Sequence, residues 1–123
     1  MARMRDVARF GLLFTPSYRV VTDDKVISDE HLDFILSGGR PELLTNAGGP
    51  EASITGLKHN IYQWDRVYEN GDIYKDGWAG QGLIINPLRD TVVVFTGYLK
   101  DDKGSEVKAL PKIMQVMNGV FGN

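Results

Sequence analysis

Lys75-Asp76-Gly77-Trp78 is the stretch whose residue types and spacing are best suited to chemistry. A cation at Lys75 can attract a substrate carboxylate or hold a nearby hydroxyl in a productive protonation state. Gly77 lets the backbone approach a ligand with no Cβ in the way. The backbone N–H of Trp78, pointing off a sheet edge, can supply half of an oxyanion hole, a donor worth roughly 3 kcal/mol of transition-state stabilisation when preorganised. Asp76 is expected to act against Lys75: a carboxylate beside the ammonium would neutralise it and disfavour an anionic substrate.

These four residues need a strand to hold them, and the surrounding pattern provides one. From residue 61 onward the apolar residues recur with period two. Tyr62 to Glu69 reads as one strand, Asn70-Gly71 as a hairpin turn, and Asp72 to Lys75 as the start of the next strand. Glycines at 77, 80 and 82 interrupt it before a third strand from Gly82 to Asn86. Pro87-Leu88-Arg89-Asp90 is a turn. Thr91 to Tyr98 contains the consecutive run Val92-Val93-Val94-Phe95, so it is expected to be central and covered on both faces. A final helix is expected from about Leu110, with Pro111 in its first turn, to Phe121. Ile113, Val116, Met117 and Val120 would form its sheet-facing side.

Upstream the spacing is helical. Met4, Val7, Ala8, Gly11 and Leu12 share a face within residues 2–14, and Thr15-Pro16-Ser17 stops that helix. Tyr18 to Thr22 reads as a short strand. Ser28 resembles an N-cap followed by acidic residues in the first turn, and Gly38-Gly39 ends this second helix. Pro41 can begin one more turn through Leu44. The expected fold is therefore α+β: an antiparallel sheet of about three to five strands with N-terminal helices and a C-terminal helix packed on it. Its 123 residues suit a single domain, with a helical part at 1–44, a loop at 45–60, and the sheet plus last helix at 61–123.

Several function classes are disfavoured. A formal net charge of −2 gives no electrostatic reason to expect nucleic acid or an anionic membrane. No apolar run is long enough to span a bilayer, and the start of the chain, broken by Asp6 and Arg9, does not read as a signal peptide. Without cysteine there is no disulfide, thiolate or zinc-thiolate chemistry, which fits any compartment. His31 and His59, far apart, do not make a metal site. Glu69, Asp72 and Asp76 bracket a hairpin and read as solvated. No cofactor motif emerges, since the glycines at 77–82 open a strand and lack phosphate-loop spacing.

Taken together, Lys75-Asp76-Gly77-Trp78, Gly80-Gln81-Gly82, and the run Leu83-Ile84-Ile85-Asn86-Pro87 into a valine-rich strand resemble the C-terminal part of the serine β-lactamase/penicillin-binding-protein superfamily, in its class C/esterase-like branch. There a Lys-Thr-Gly or His-x-Gly strand edges the active site. Asp6-Val7-Ala8-Arg9-Phe10-Gly11 resembles the helix that branch carries between its second and third signatures, and Ile27-Ser28-Asp29-Glu30 the helix start that follows. The resemblance implies acyl transfer on an ester, amide or lactam, with Lys75, Asp76, Gly77 and Trp78 as substrate-binding residues. It also implies that the Ser-x-x-Lys nucleophile and the Tyr-x-Asn signature lie before residue 1. Ser105-Glu106-Val107-Lys108 and Tyr68-Glu69-Asn70 copy those patterns in the wrong order and setting, and are expected to be coincidental. The chain alone is then expected to be inactive, and to associate with itself or with the hydrolase portion that it lacks. A stand-alone, non-catalytic module used for oligomerisation or ligand binding is the other reading.

Overall fold

The computed structural model describes residues 2–43, 56–77, 81–97 and 106–121. Within these, a five-stranded antiparallel sheet is flanked by two N-terminal helices and a C-terminal helix, so the chain is α+β as expected. The helices are α1 (Met4–Leu12), α2 (Asp29–Ser37) and α3 (Glu106–Phe121). The strands are β1 (Leu57–Ile61), β2 (Trp64–Tyr68), β3 (Ile73–Gly77), β4 (Gln81–Asn86) and β5 (Thr91–Phe95), in the sheet order 1-2-3-4-5. Every connection is between sequence neighbours, as a meander of tight turns dictates.

The helix starts and turns follow local chemistry. The Ser28 hydroxyl accepts the His31 amide at 3.1 Å and opens α2. Gly71, at φ 90°, supplies the left-handed residue of the Asn70-Gly71 turn between β2 and β3. Three expectations are corrected in the first half of the chain. Pro16–Val20 is a 3-10 helix rather than the beginning of a strand: Pro16 presets φ and the Thr15 hydroxyl accepts the Ser17 amide at 3.2 Å, which together favour a helical turn. Residues 57–60, assigned to a loop, belong to β1. Tyr62 to Glu69 is not one strand, because Tyr62 and Gln63 turn the chain with φ of 49° and 68° between β1 and β2. No glycine or asparagine marks this turn, so the sequence conceals it. Residues 44–55 lie outside the described part.

The sheet is covered on both faces. On one, Val7 of α1, Phe14, and Leu32 and Ile35 of α2 pack with Trp64, Val67, Ile73, Leu83 and Ile85. On the other, Leu110, Ile113, Met114 and Met117 of α3 pack with Tyr68, Tyr74, Ile84, Val93 and Phe95. β5 is therefore partly covered on both faces, Val92 and Val94 on one and Val93 and Phe95 on the other, yet it is one of the two edge strands of the sheet and not a central one. A continuous apolar run reports cover above and below, and carries no information about lateral neighbours. In α3, Pro111 lies inside the helix rather than at its start, because the sheet contacts of Leu110 and Ile113 on either side offset the lost hydrogen bond. The packed stripe is 110, 113, 114 and 117. Val116 and Val120 are exposed, against the expectation that they would pack.

Candidate functional site

β3 changes partners along its length. Its pairing with β2 is confined to Val67↔Ile73 and Arg66↔Tyr74, whereas its pairing with β4 continues through Lys75↔Leu83, Asp76↔Gly82 and Gly77↔Gln81. Lys75, Asp76 and Gly77 thus form a local strand edge on the β2 side, even though β3 is central in the sheet. What meets that edge is the side chain of Asp65. One of its oxygens, Oδ2, accepts the Asp76 amide at 2.8 Å and the Lys75 ammonium at 2.9 Å. Asp76 turns to Arg66, whose Nη1 lies 3.2 Å from Asp76 Oδ2. Arg66 is buried and sits over the Tyr74 ring at 5.3 Å, and that ring stacks on Phe95 at 6.4 Å.

This corrects the expected role of Asp76: the carboxylate that neutralises Lys75 comes from β2. Successive side chains alternate between sheet faces, so two neighbouring residues on one strand are poorly placed to pair. A cross-strand neighbour is well placed. Asp65 and Arg66 were missed from the sequence, although a signal was present. Continuing the register from Arg66↔Tyr74 sets Asp65 opposite Lys75, and the order Asp-Arg on one strand complements Lys-Asp on the other.

The two carboxyls are pushed in opposite directions. Burial raises Asp65, but the hydrogen bonds from the Lys75 ammonium and the Asp76 amide outweigh it and hold the group below the ordinary carboxylate range. Burial likewise raises Asp76, the neighbouring Asp65 charge raises it further, and Arg66 only partly compensates. Burial and the nearby Asp76 also push the Tyr74 phenol upward, so it stays neutral. The cluster therefore holds Asp65 below and Asp76 above the ordinary carboxylate range.

Two hollows flank the edge. One, of about 320 Å3, lies between α1 and the ends of β3, β4 and β5. It is lined by Met4, Val7, Phe10, Leu83, Val94 and Phe95, with Lys75, Asp76, Gly77 and Gln81 on its rim. The other, of about 390 Å3, is polar and runs along the β1–β2 turn from Asn60 to Arg66, reaching Asp76. At Gly77 an added Cβ would sit 3.1 Å from the Gln81 Cβ, a close cross-strand approach. Trp78, the expected oxyanion donor, lies outside the described residues, as does Ser105.

The remaining candidates separate cleanly. Tyr68 is buried on the α3 face, and Asn70 spends its side chain on the turn, accepting the Asp72 amide at 3.0 Å. Asp72 is not solvated as expected. It is buried and accepts Asn86 Nδ2 at 2.7 Å, locking the β2–β3 turn to the end of β4. Glu69 is exposed. His31 is exposed and stacks on Tyr62 at 5.5 Å, while His59 is buried in β1 with Nε2 2.7 Å from the Ile35 carbonyl. Among the described residues no three metal-ligating side chains converge, and no helix is long and apolar enough to cross a membrane. No protein-family model matches the chain, and no solved structure matches it.

Proposed function

We propose that this chain is the sheet and final helix of a serine acyl-transfer hydrolase of the β-lactamase/penicillin-binding-protein type, forming one wall of the site and inactive without the nucleophile-bearing part. The supporting observation is the local edge at Lys75–Gly77, which leaves β2, fronts a cleft and carries an ammonium. That is the arrangement in which the superfamily's Lys-x-Gly strand would meet a substrate. The expected substrate is an ester or amide; Lys75, already bound by Asp65, is a poor partner for the carboxylate of a β-lactam.

Two measurements test this reading. The DNA upstream of the Met1 codon should encode an in-frame Ser-x-x-Lys followed by Tyr-x-Asn, and an in-frame stop codon there would sink the proposal. The isolated chain should neither hydrolyse p-nitrophenyl butyrate nor take a stoichiometric fluorophosphonate label. Labelling at Ser105 would make the chain an enzyme by itself. A stand-alone association module is favoured by a different observation, the exposed Val116, Val120 and Phe121 on α3.

A further inference from the structure

We infer that β5 is a docking edge for a second copy of this chain: two β5 strands pair antiparallel about a two-fold axis at Val93 and join two five-stranded sheets into one. An edge strand offers a row of N–H and C=O groups that only another extended backbone can match in series. Among the described residues, the backbone of Thr91–Phe95 pairs with β4 and with no backbone on its other side.

The two edges of the sheet differ. β1 is blunted in two ways. Its pairing with β2 is irregular at two places. Its side chains also fasten to the end of α2, with Lys58 Nζ 2.8 Å from the Leu36 carbonyl and His59 Nε2 2.7 Å from the Ile35 carbonyl. β5 carries neither device. It pairs with β4 at five consecutive positions without a bulge, and Thr-Val-Val-Val-Phe contains no charge and no proline. A regular, apolar, uncharged edge of this kind is a template for a further strand.

The strand that fits it best is its own copy. With the axis at Val93, Thr91 faces Phe95 and Val92 faces Val94, all pairs that suit a sheet. Just beyond the strand Asp90 falls opposite Thr96, so no like charges meet, whereas a charged foreign strand would find no complement on β5. The axis stands perpendicular to the sheet, so both α3 helices lie on one face of the joined sheet. Val93 lines one apolar hollow with Ile113, Val116, Val120 and Phe121 of α3, and the last three are exposed. These side chains therefore flank the junction and gain cover from their counterparts. Lys112, also on that hollow, can extend its ammonium to water along its flexible stem. The inference gives the association reading its geometry and rests on it, and is independent of the hydrolase reading.

The test uses the unsubstituted full chain. A one-to-one mixture of isotope-labelled and unlabelled chain, concentrated until sedimentation shows a dimer, should give isotope-filtered NOEs between Val92 of one copy and Val94 of the other. Thr91 and Phe95 should show the same relation. The β5 amides that point away from β4 should exchange at least about tenfold more slowly in the dimer than in the dilute monomer. A chain that stays monomeric at every concentration overturns the inference together with the association reading. A dimer whose intermolecular NOEs join only α3 residues overturns the inference and leaves that reading standing. Equal protection of the same amides in the dilute monomer would mean that the edge is covered from within the chain, and overturns it as well.

Discussion

At the scale of single residues, the four charges on β2 and β3 form two cross-strand pairs, and their consequences differ with burial. Arg66 is almost fully buried and is ion-paired with Asp76. Removing the guanidinium leaves a half-buried carboxylate with a weakened counter-charge and empties the space above the Tyr74 ring. Arg66→Ala is therefore expected to lower stability by about 2–3 kcal/mol, below the full value for a deeply buried pair because Asp76 keeps some access to water. Urea unfolding at neutral pH measures it. The acid response should show two signs. Asp76 has its folded value raised, so between the ordinary value near 3.8 and that raised value the folded chain holds the extra proton. Its contribution is full below 3.8 and is lost as pH rises through the window. Asp65 has its folded value lowered, so its contribution is full above the ordinary value and is lost as pH falls through the folded one. Carboxyl-carbon NMR should find Asp76 titrating at a higher pH than Asp65; the reverse order would discard this assignment. Lys75 as a site candidate was legible from the glycine pattern around it. Asp65 was not singled out, because its role depends on β2 being a separate strand in a particular register.

Among the elements, the contact between α1 and the sheet shows most directly how packing overrides propensity. Gly11 is buried where the helix crosses β5, and an added Cβ would meet Val92 Cγ1 at 2.7 Å and Leu83 Cδ1 at 3.3 Å. In an exposed helix, replacing glycine with alanine gains about 1 kcal/mol. Here Gly11→Ala should instead cost about 1–3 kcal/mol, since a stiff β-branched side chain blocks it and α1 must lift from the sheet. A rise in thermal stability would show that Gly11 and Val92 leave room for a methyl group. Other elements were legible to the extent that their signals were local. The Ser28 cap, the Asn70-Gly71 turn and the period-two pattern of β3 and β4 all lie where the residues place them. The Tyr62-Gln63 turn has no such marker, and its left-handed backbone is held in place by the pairing of β1 with β2.

For the whole molecule, helices cover both faces of the sheet, yet α3 leaves Val116, Val120 and Phe121 exposed at 56%, 69% and 54%. These lie beside Val93 and Ile113 around an apolar hollow of about 350 Å3. Such a surface favours association over solvation. Sedimentation equilibrium is expected to show concentration-dependent self-association, reduced in a Val116→Ser, Val120→Ser double variant whose circular dichroism is unchanged. A monomer at every concentration would rule out the association reading.

The α+β class, the Asn70-Gly71 hairpin, the Ser28 start of α2 and the Lys75–Gly77 strand were determined by the sequence itself, because each is encoded over a few consecutive residues by periodicity, capping or turn chemistry. Tertiary structure decided which strand lies at the edge, which stripe of α3 packs, and which carboxylate meets Lys75. Those outcomes depend on register and on distant partners. Asp65 and Lys75 are ten residues apart along the chain, and they meet only because β2 and β3 pair as they do.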